Sequence, residues 1–299
     1  MFRLESDADG LVEVWWWAMF VWSTANMALL FAACRCNPAA TRHETKAQRL
    51  TLLCAIGTVY RCTFPVVWEA RPHGCMFATP GMLLGSEMFD QVCAQVAECT
   101  FAMLVSMQVA LGLSCIGAEV CSKVAGRAFW AVWLVARPCC WLGVTTDNKL
   151  FHVFEEGVWS VFAAVLLSAI AASAPWRQQR SHVRRILALA MIGLLAYLWF
   201  MVTVDVPMYY YDWRADVATG FKPGTVEAGL AEMMQCDAVV QDYATWREGI
   251  PWQTGYFGFL PLVAISLGIV FRAPQSTGIP ARAVPLKENF EGLSRAKHA

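Results

Sequence analysis

Asp90, Gln91, Gln95 and Glu98 follow one another at intervals of one, four and three residues in a stretch that is otherwise largely apolar. On a helix this spacing predicts one descending polar face. His152, Glu155, Glu156 and Trp159 repeat the idea at i, i+3, i+4 and i+7. Arg61 stands in a third apolar stretch just before Pro65, and Asp205 closes a fourth just before Pro207. Carboxylates, an imidazole and a guanidinium are costly to bury unpaired in apolar surroundings, so each marks a functional position by default. Arg61, Asp90, Gln95, Glu98, His152, Glu155, Glu156 and Asp205 therefore form the candidate site, read as a pathway for protons or a small solute.

Two chemistries fit these residue types. A ladder of titratable groups suits proton-coupled transport or sensing, with Pro65 and Pro207 permitting kinked helices, and needs no cofactor. Glu98, His152 and Glu155 also have the ligand types for a transition metal that would activate water, which makes a metal-dependent intramembrane enzyme the alternative. A third reading turns the charged face toward partner chains of a membrane complex, with the protein as an accessory or scaffold subunit. Plainer structural roles stand beside each residue. Asp90 and Glu98 are of the type that hydrogen-bonds across helices. His152, Glu155 and Glu156 fall in the first turns of a helix capped by Asp147 or Asn148, where acids suit the dipole. Arg61 is expected to be the one deeply buried cation, paired with Asp90 or Glu98.

The elements that must carry these groups follow from two uncharged apolar runs, Gly157–Ala174 and Ile186–Val204, each long enough to cross a bilayer. The chain is 58% hydrophobic and 15% charged with a mean hydropathy of +0.45, well below the charge content of soluble proteins. The sequence thus predicts an all-α, polytopic transmembrane bundle of seven spans: Leu11–Ala33, Leu50–Val67, Leu83–Ile116, Val124–Leu142, Phe151–Ala174, Arg185–Val204 and Gly255–Phe271. The fourth is the weakest span. Its Arg127 and Arg137 have nine uncharged residues between them and are expected to snorkel to opposite interfaces. With the N-terminus on the non-cytoplasmic side, fifteen lysines and arginines fall in cytoplasmic segments against seven outside, as the positive-inside rule requires. Trp15–Trp17, Trp68, Trp141, Tyr209–Tyr211, Trp213, Trp252 and Tyr256 then gather at the outer interface. The embedded charges lie in the outer half, which implies a polar cavity open to that side.

The first span begins after Glu5, Asp7 and Asp9, unlike a cleavable signal with its positive leading region. Residues 1–272 read as the transmembrane domain, with 205–253 as an outer loop or interfacial helix. Within that loop Thr225–Ala244 is predicted to be an amphipathic helix with Thr225 as its N-cap, resting on the membrane or closing over the cavity. Residues 273–299 read as a flexible cytoplasmic tail. Of twelve cysteines, Cys75, Cys139, Cys140 and Cys236 fall on the outer side, and a Cys75–Cys236 disulfide is one of several pairings open to them. Five histidines are too few for a histidine-box desaturase, and the seventh span has no lysine for a retinal Schiff base. The expected surroundings are a lipid bilayer and a small solute or protons, with no nucleic acid.

Overall fold

The computed structural model describes residues 2–67, 74–76, 85–173, 181–234, 238–247 and 249–270. The expected tail at 273–299 and Cys236 lie outside them. Among the described residues the fold is helical: α1 (Phe2–Cys36), α2 (Arg42–Thr63), α3 (Glu87–Cys115), α4 (Glu119–Thr146), α5 (Lys149–Ala172), α6 (Ser181–Phe200), α7 (Val206–Thr219), α8 (Val226–Met233), α9 (Tyr243–Trp246) and α10 (Gly249–Ile265). Wide π turns join α6 to α7 at Met201–Asp205 and extend α10 at Ser266–Val270. Among the described residues six stretches are long and apolar enough to cross a membrane: Gly10–Cys36, Glu87–Cys115, Glu119–Thr146, Lys149–Ala172, Val183–Thr219 and Gly249–Ile269. Large apolar side chains such as Leu29, Val161, Leu189, Leu195, Trp199 and Phe259 point outward, a surface suited to lipid rather than water. Together these features suggest an integral, multi-pass membrane protein.

Local chemistry fixes the helix ends. Thr41 opens α2 with a capping box, its hydroxyl accepting from Glu44 N while the Glu44 carboxylate accepts from Thr41 N. α2 stops at Thr63, two residues before Pro65, whose ring disfavours helical geometry in the residue ahead of it. Asp147, in the left-handed region at φ 53°, ends α4, and the Asn148 side chain accepts from Leu150 N to start α5. The turn leaves no slack, so α4 and α5 pack antiparallel along their length.

α3 is the shared wall of two cores. On one side Leu113, Phe129, Ala136, Trp159, Phe162, Leu166, Ile170 and Leu187 fill the space among α3, α4, α5 and α6. On the other, Ala47, Leu50, Cys54, Ala97, Leu104, Leu260 and Ala264 join α2, α3 and α10. Small residues bring the backbones close. A Cβ at Gly57 would run into Cys93 O of α3, and one at Gly268 into the Thr51 hydroxyl of α2. Such close approach is how helices associate where lipid removes the hydrophobic drive.

At the end of the bundle where α2 finishes and α3 starts, β1 (Val66–Val67) pairs antiparallel with β2 (Gly74–Cys75), which pairs parallel with β3 (Ala238–Val239). Cys75 is disulfide-bonded. Trp246 is packed beneath this cap with Val12 and Met76 and donates its indole N–H to Val240 O at 2.9 Å, so it is a core residue rather than an interfacial one.

Several boundaries differ from the sequence reading. The sixth span does not end at Val204: the helix runs on through the π turn to Thr219. Pro207 falls in the first turn after that wide turn, where its missing N–H disturbs little. The amphipathic helix expected over Thr225–Ala244 is confined to Val226–Met233. Thr225 caps it as expected, accepting from Ala228 N, but the chain then leaves for β3. The fourth segment is a full 28-residue helix.

Candidate functional site

Arg61 and Asp90 meet in a two-toothed ion pair. Nε donates to Oδ1 at 2.9 Å and Nη2 to Oδ2 at 2.8 Å. Asp90 is fully buried, and the Arg61 Cζ lies 4.0 Å from the centre of the Phe257 ring of α10. The planar fork of arginine matches a carboxylate in this way. The pair fastens α2 to α3 on the α10 side of the molecule.

A second buried cation, Arg137, sits on the other side of α3. The expectation that Arg61 alone is deeply buried and that Arg137 snorkels to an interface is therefore incorrect: Arg137 is 6% exposed. It lies within the full length of α4, at the edge of the buried face formed by Phe129, Val132, Ala136, Cys140 and Gly143, and its side chain turns inward to the acids of α3 and α5. Its Nη1 reaches Glu98 Oε2 at 3.3 Å and its Nη2 reaches Glu155 Oε1 at 3.1 Å. Its Nε is buried with no hydrogen-bond partner among the described residues. The Trp159 ring lies 5.2 Å from its Cζ, an arrangement that favours a cation.

The network continues from Glu155. Its Oε2 is 3.1 Å from His152 Nδ1, and the imidazole stacks on Tyr209 of α7 with centroids 4.9 Å apart. The other side of the ring lies against Gly143. Above Glu98, Gln91 and Gln95 turn to α4: Gln91 Nε2 donates to Cys140 Sγ at 2.8 Å, and Gln95 Oε1 accepts from the Trp141 indole at 3.1 Å. The polar residues of α3 thus divide between two neighbours, Asp90 facing α2 and Gln91, Gln95 and Glu98 facing α4. They do not form the single face expected.

Glu156 lies within electrostatic reach of Glu155, Asp205, Glu98 and Arg137. Asp205, at the end of the π turn and 7% exposed, lies within reach of Glu155, His152 and Glu98. Tyr197, Tyr209 and Tyr256 bring three phenols to the same carboxylates. The structure thus gathers Glu98, Glu155 and Glu156 around Arg137, with His152 and Asp205 beside Glu155 and Gln95 one turn from Glu98. Arg61 and Asp90 pair with one another beside it. The Glu98 side chain is 27% exposed against 5% for Glu155, and His152 and Glu156 are also partly exposed. Glu155 is no solvated helix start.

Sequence reasoning missed Arg137, Cys140, Trp141 and the three tyrosines. Only Arg137 left a signal, as a charge inside an apolar stretch; the tyrosines arrive from α6, α7 and α10 and are joined by tertiary packing alone.

Four carboxylates around one guanidinium and one imidazole leave a surplus of negative charge, which such a site can neutralise with protons or a bound cation. Glu98, His152 and Glu155 do not form a metal site: among the described residues no three His, Cys, Asp or Glu side chains come together to hold a metal ion. Glu98 and Glu155 instead turn their oxygens to Arg137. No protein-family model, curated protein or solved structure matches the chain.

Gly143 gives the site a direct test. A Cβ there would stand 2.7 Å from His152 Nε2, too close for the ring to stay. Gly143→Ala is expected to lower stability by about 1–3 kcal/mol through overpacking. Gly157→Ala on α5, where a Cβ meets nothing within 4 Å, should be neutral or stabilising. Thermal melts of the two variants in detergent check this, and equal melting temperatures would contradict the described packing.

Proposed function

We propose that this chain is a seven-span membrane protein that binds protons, or a small solute together with protons, at the acidic site around Arg137, and uses that binding for transport or sensing. One observation carries the reading: Glu98, Glu155, Glu156 and Asp205 lie within electrostatic reach of one another, with Arg137 beside the three glutamates and His152 beside Glu155 and Asp205. A group of this kind changes its charge as protons come and go, and Glu98 offers them an entry. The proposed seventh crossing is α2, whose 22 residues extend about 33 Å. Its charged first turns keep its mean hydropathy low. A non-cytoplasmic N-terminus is supported by the uneven lysine and arginine counts and by the disulfide at Cys75, which suits an oxidising side.

The test is proton uptake into proteoliposomes carrying an internal pH dye under an imposed gradient, with tryptophan emission of the purified protein followed from pH 5 to 8. Trp159 beside Arg137 and Trp141 on Gln95 are built-in reporters. Glu98→Gln is expected to abolish the flux and to shift or remove the emission change. Flux no greater than in empty vesicles, together with flat emission across that range, would sink the proton reading. A Glu98→Gln effect on stability alone would favour an accessory subunit instead.

A further inference from the structure

At the opposite end of the bundle from the β-strands, α2 and α4 each pack along α3 but hardly against one another. Between them lies a cavity of about 310 Å³. His43 and Lys46 of α2 line it, with Met103 and Met107 of α3 and Phe129 and Trp130 of α4. The buried Nε2 of His43 has no hydrogen-bond partner among the described residues. Lys46 is exposed, as are Arg42 and Arg49 on α2 and Lys123 and Arg127 on α4. The acids nearby are engaged: Glu44 caps α2, and Glu119 accepts from the Ser114 hydroxyl. Both helices begin here, so their positive dipole ends add to the basic field.

We infer that this cleft holds one anionic phospholipid, its phosphate at His43 and Lys46 and its acyl chain along Met103, Met107, Phe129 and Trp130. The volume is of the size that small-ligand sites occupy. Basic clefts between membrane helices are places where anionic headgroups lodge. A free phosphate would use the basic mouth and leave the sulfur and aromatic wall without purpose. The Lys46 ammonium and the Glu44 carboxylate both act on the His43 imidazole, the first repelling a positive charge there. A phosphate at the mouth offsets the Lys46 repulsion.

The experiment is native mass spectrometry of the purified full-length protein titrated with phosphatidylglycerol or phosphatidylcholine, with inorganic phosphate as a separate arm. Phosphatidylglycerol is expected to be retained in preference to phosphatidylcholine at one copy per chain. Lys46→Gln should weaken retention about fivefold, and Lys46→Glu with His43→Ala further. Arg184→Glu, an exposed basic position on α6 away from the cleft, should leave retention unchanged. Equal retention of the two lipids would overturn the inference. So would an equal loss from Arg184→Glu, no effect of either Lys46 substitution, or inorganic phosphate binding as tightly as the lipid.

Discussion

Arg137→Leu is expected to lower stability by about 3–5 kcal/mol, because Glu98 and Glu155 would be left facing one another without their shared cation. For a chain of this size that corresponds to a fall in melting temperature of roughly 10 °C. The loss arises from stranded carboxylates more than from a missing attraction, so the remedy is specific. Adding Glu155→Gln to Arg137→Leu should restore part of the lost stability, since it removes one stranded charge. Arg137→Lys should be intermediate: an ammonium is a point charge and cannot extend one nitrogen to each carboxylate as the fork does at 3.3 and 3.1 Å. Wild-type melting of Arg137→Leu would show that the guanidinium is not seated between these acids.

Arg61→Leu should be damaging on a similar scale, about 3–5 kcal/mol, for a related reason at a different place. It leaves Asp90 fully buried without its guanidinium, and it removes the fastening between α2 and α3. Asp90→Leu should cost a comparable amount. The double substitution should be much less damaging than the sum of the two, because an apolar pair strands nothing. A double-mutant cycle read by thermal or denaturant melts in detergent decides it. Simple additivity would mean that the two side chains do not depend on one another.

Much of this could be read from the residues because burying charge is costly enough to leave a mark. Asp90, Glu98, His152, Glu155, Glu156 and Asp205 were conspicuous in apolar stretches, and five of them do converge. The helical class, the caps at Thr225 and Asn148 and the interruption at Pro65 were likewise local and legible. Spatial grouping was not. Asp90 and Glu98 are eight residues apart, which at 100° per residue leaves them about 80° apart around α3. That angle is enough to send one to α2 and the other to α4, so a spacing that looked like a single face serves two. Arg137 was misjudged because a span ending at Leu142 sets it close to an interface. With the true extent of α4, from Glu119 to Thr146, it lies deeper in the helix, where it meets Glu98 and Glu155. Trp246 was invisible for a different reason. Its four-residue helix carries no periodicity, and only the contact with Val12 and Met76 makes it core.

The continuous helix from Val183 to Thr219 has a mechanical consequence. Its 37 residues extend about 55 Å, well beyond a hydrocarbon layer of about 30 Å, so one end stands clear of the lipid. Asp205 sits at the wide turn partway along and Tyr209 one turn further, so the acidic cluster meets this rod about 21 Å short of its tip at Thr219. A tilt of roughly 5° about that point would carry the tip sideways by about 2 Å. If the cluster binds protons as proposed, a change of charge in the interior is expected to displace the surface end of the rod.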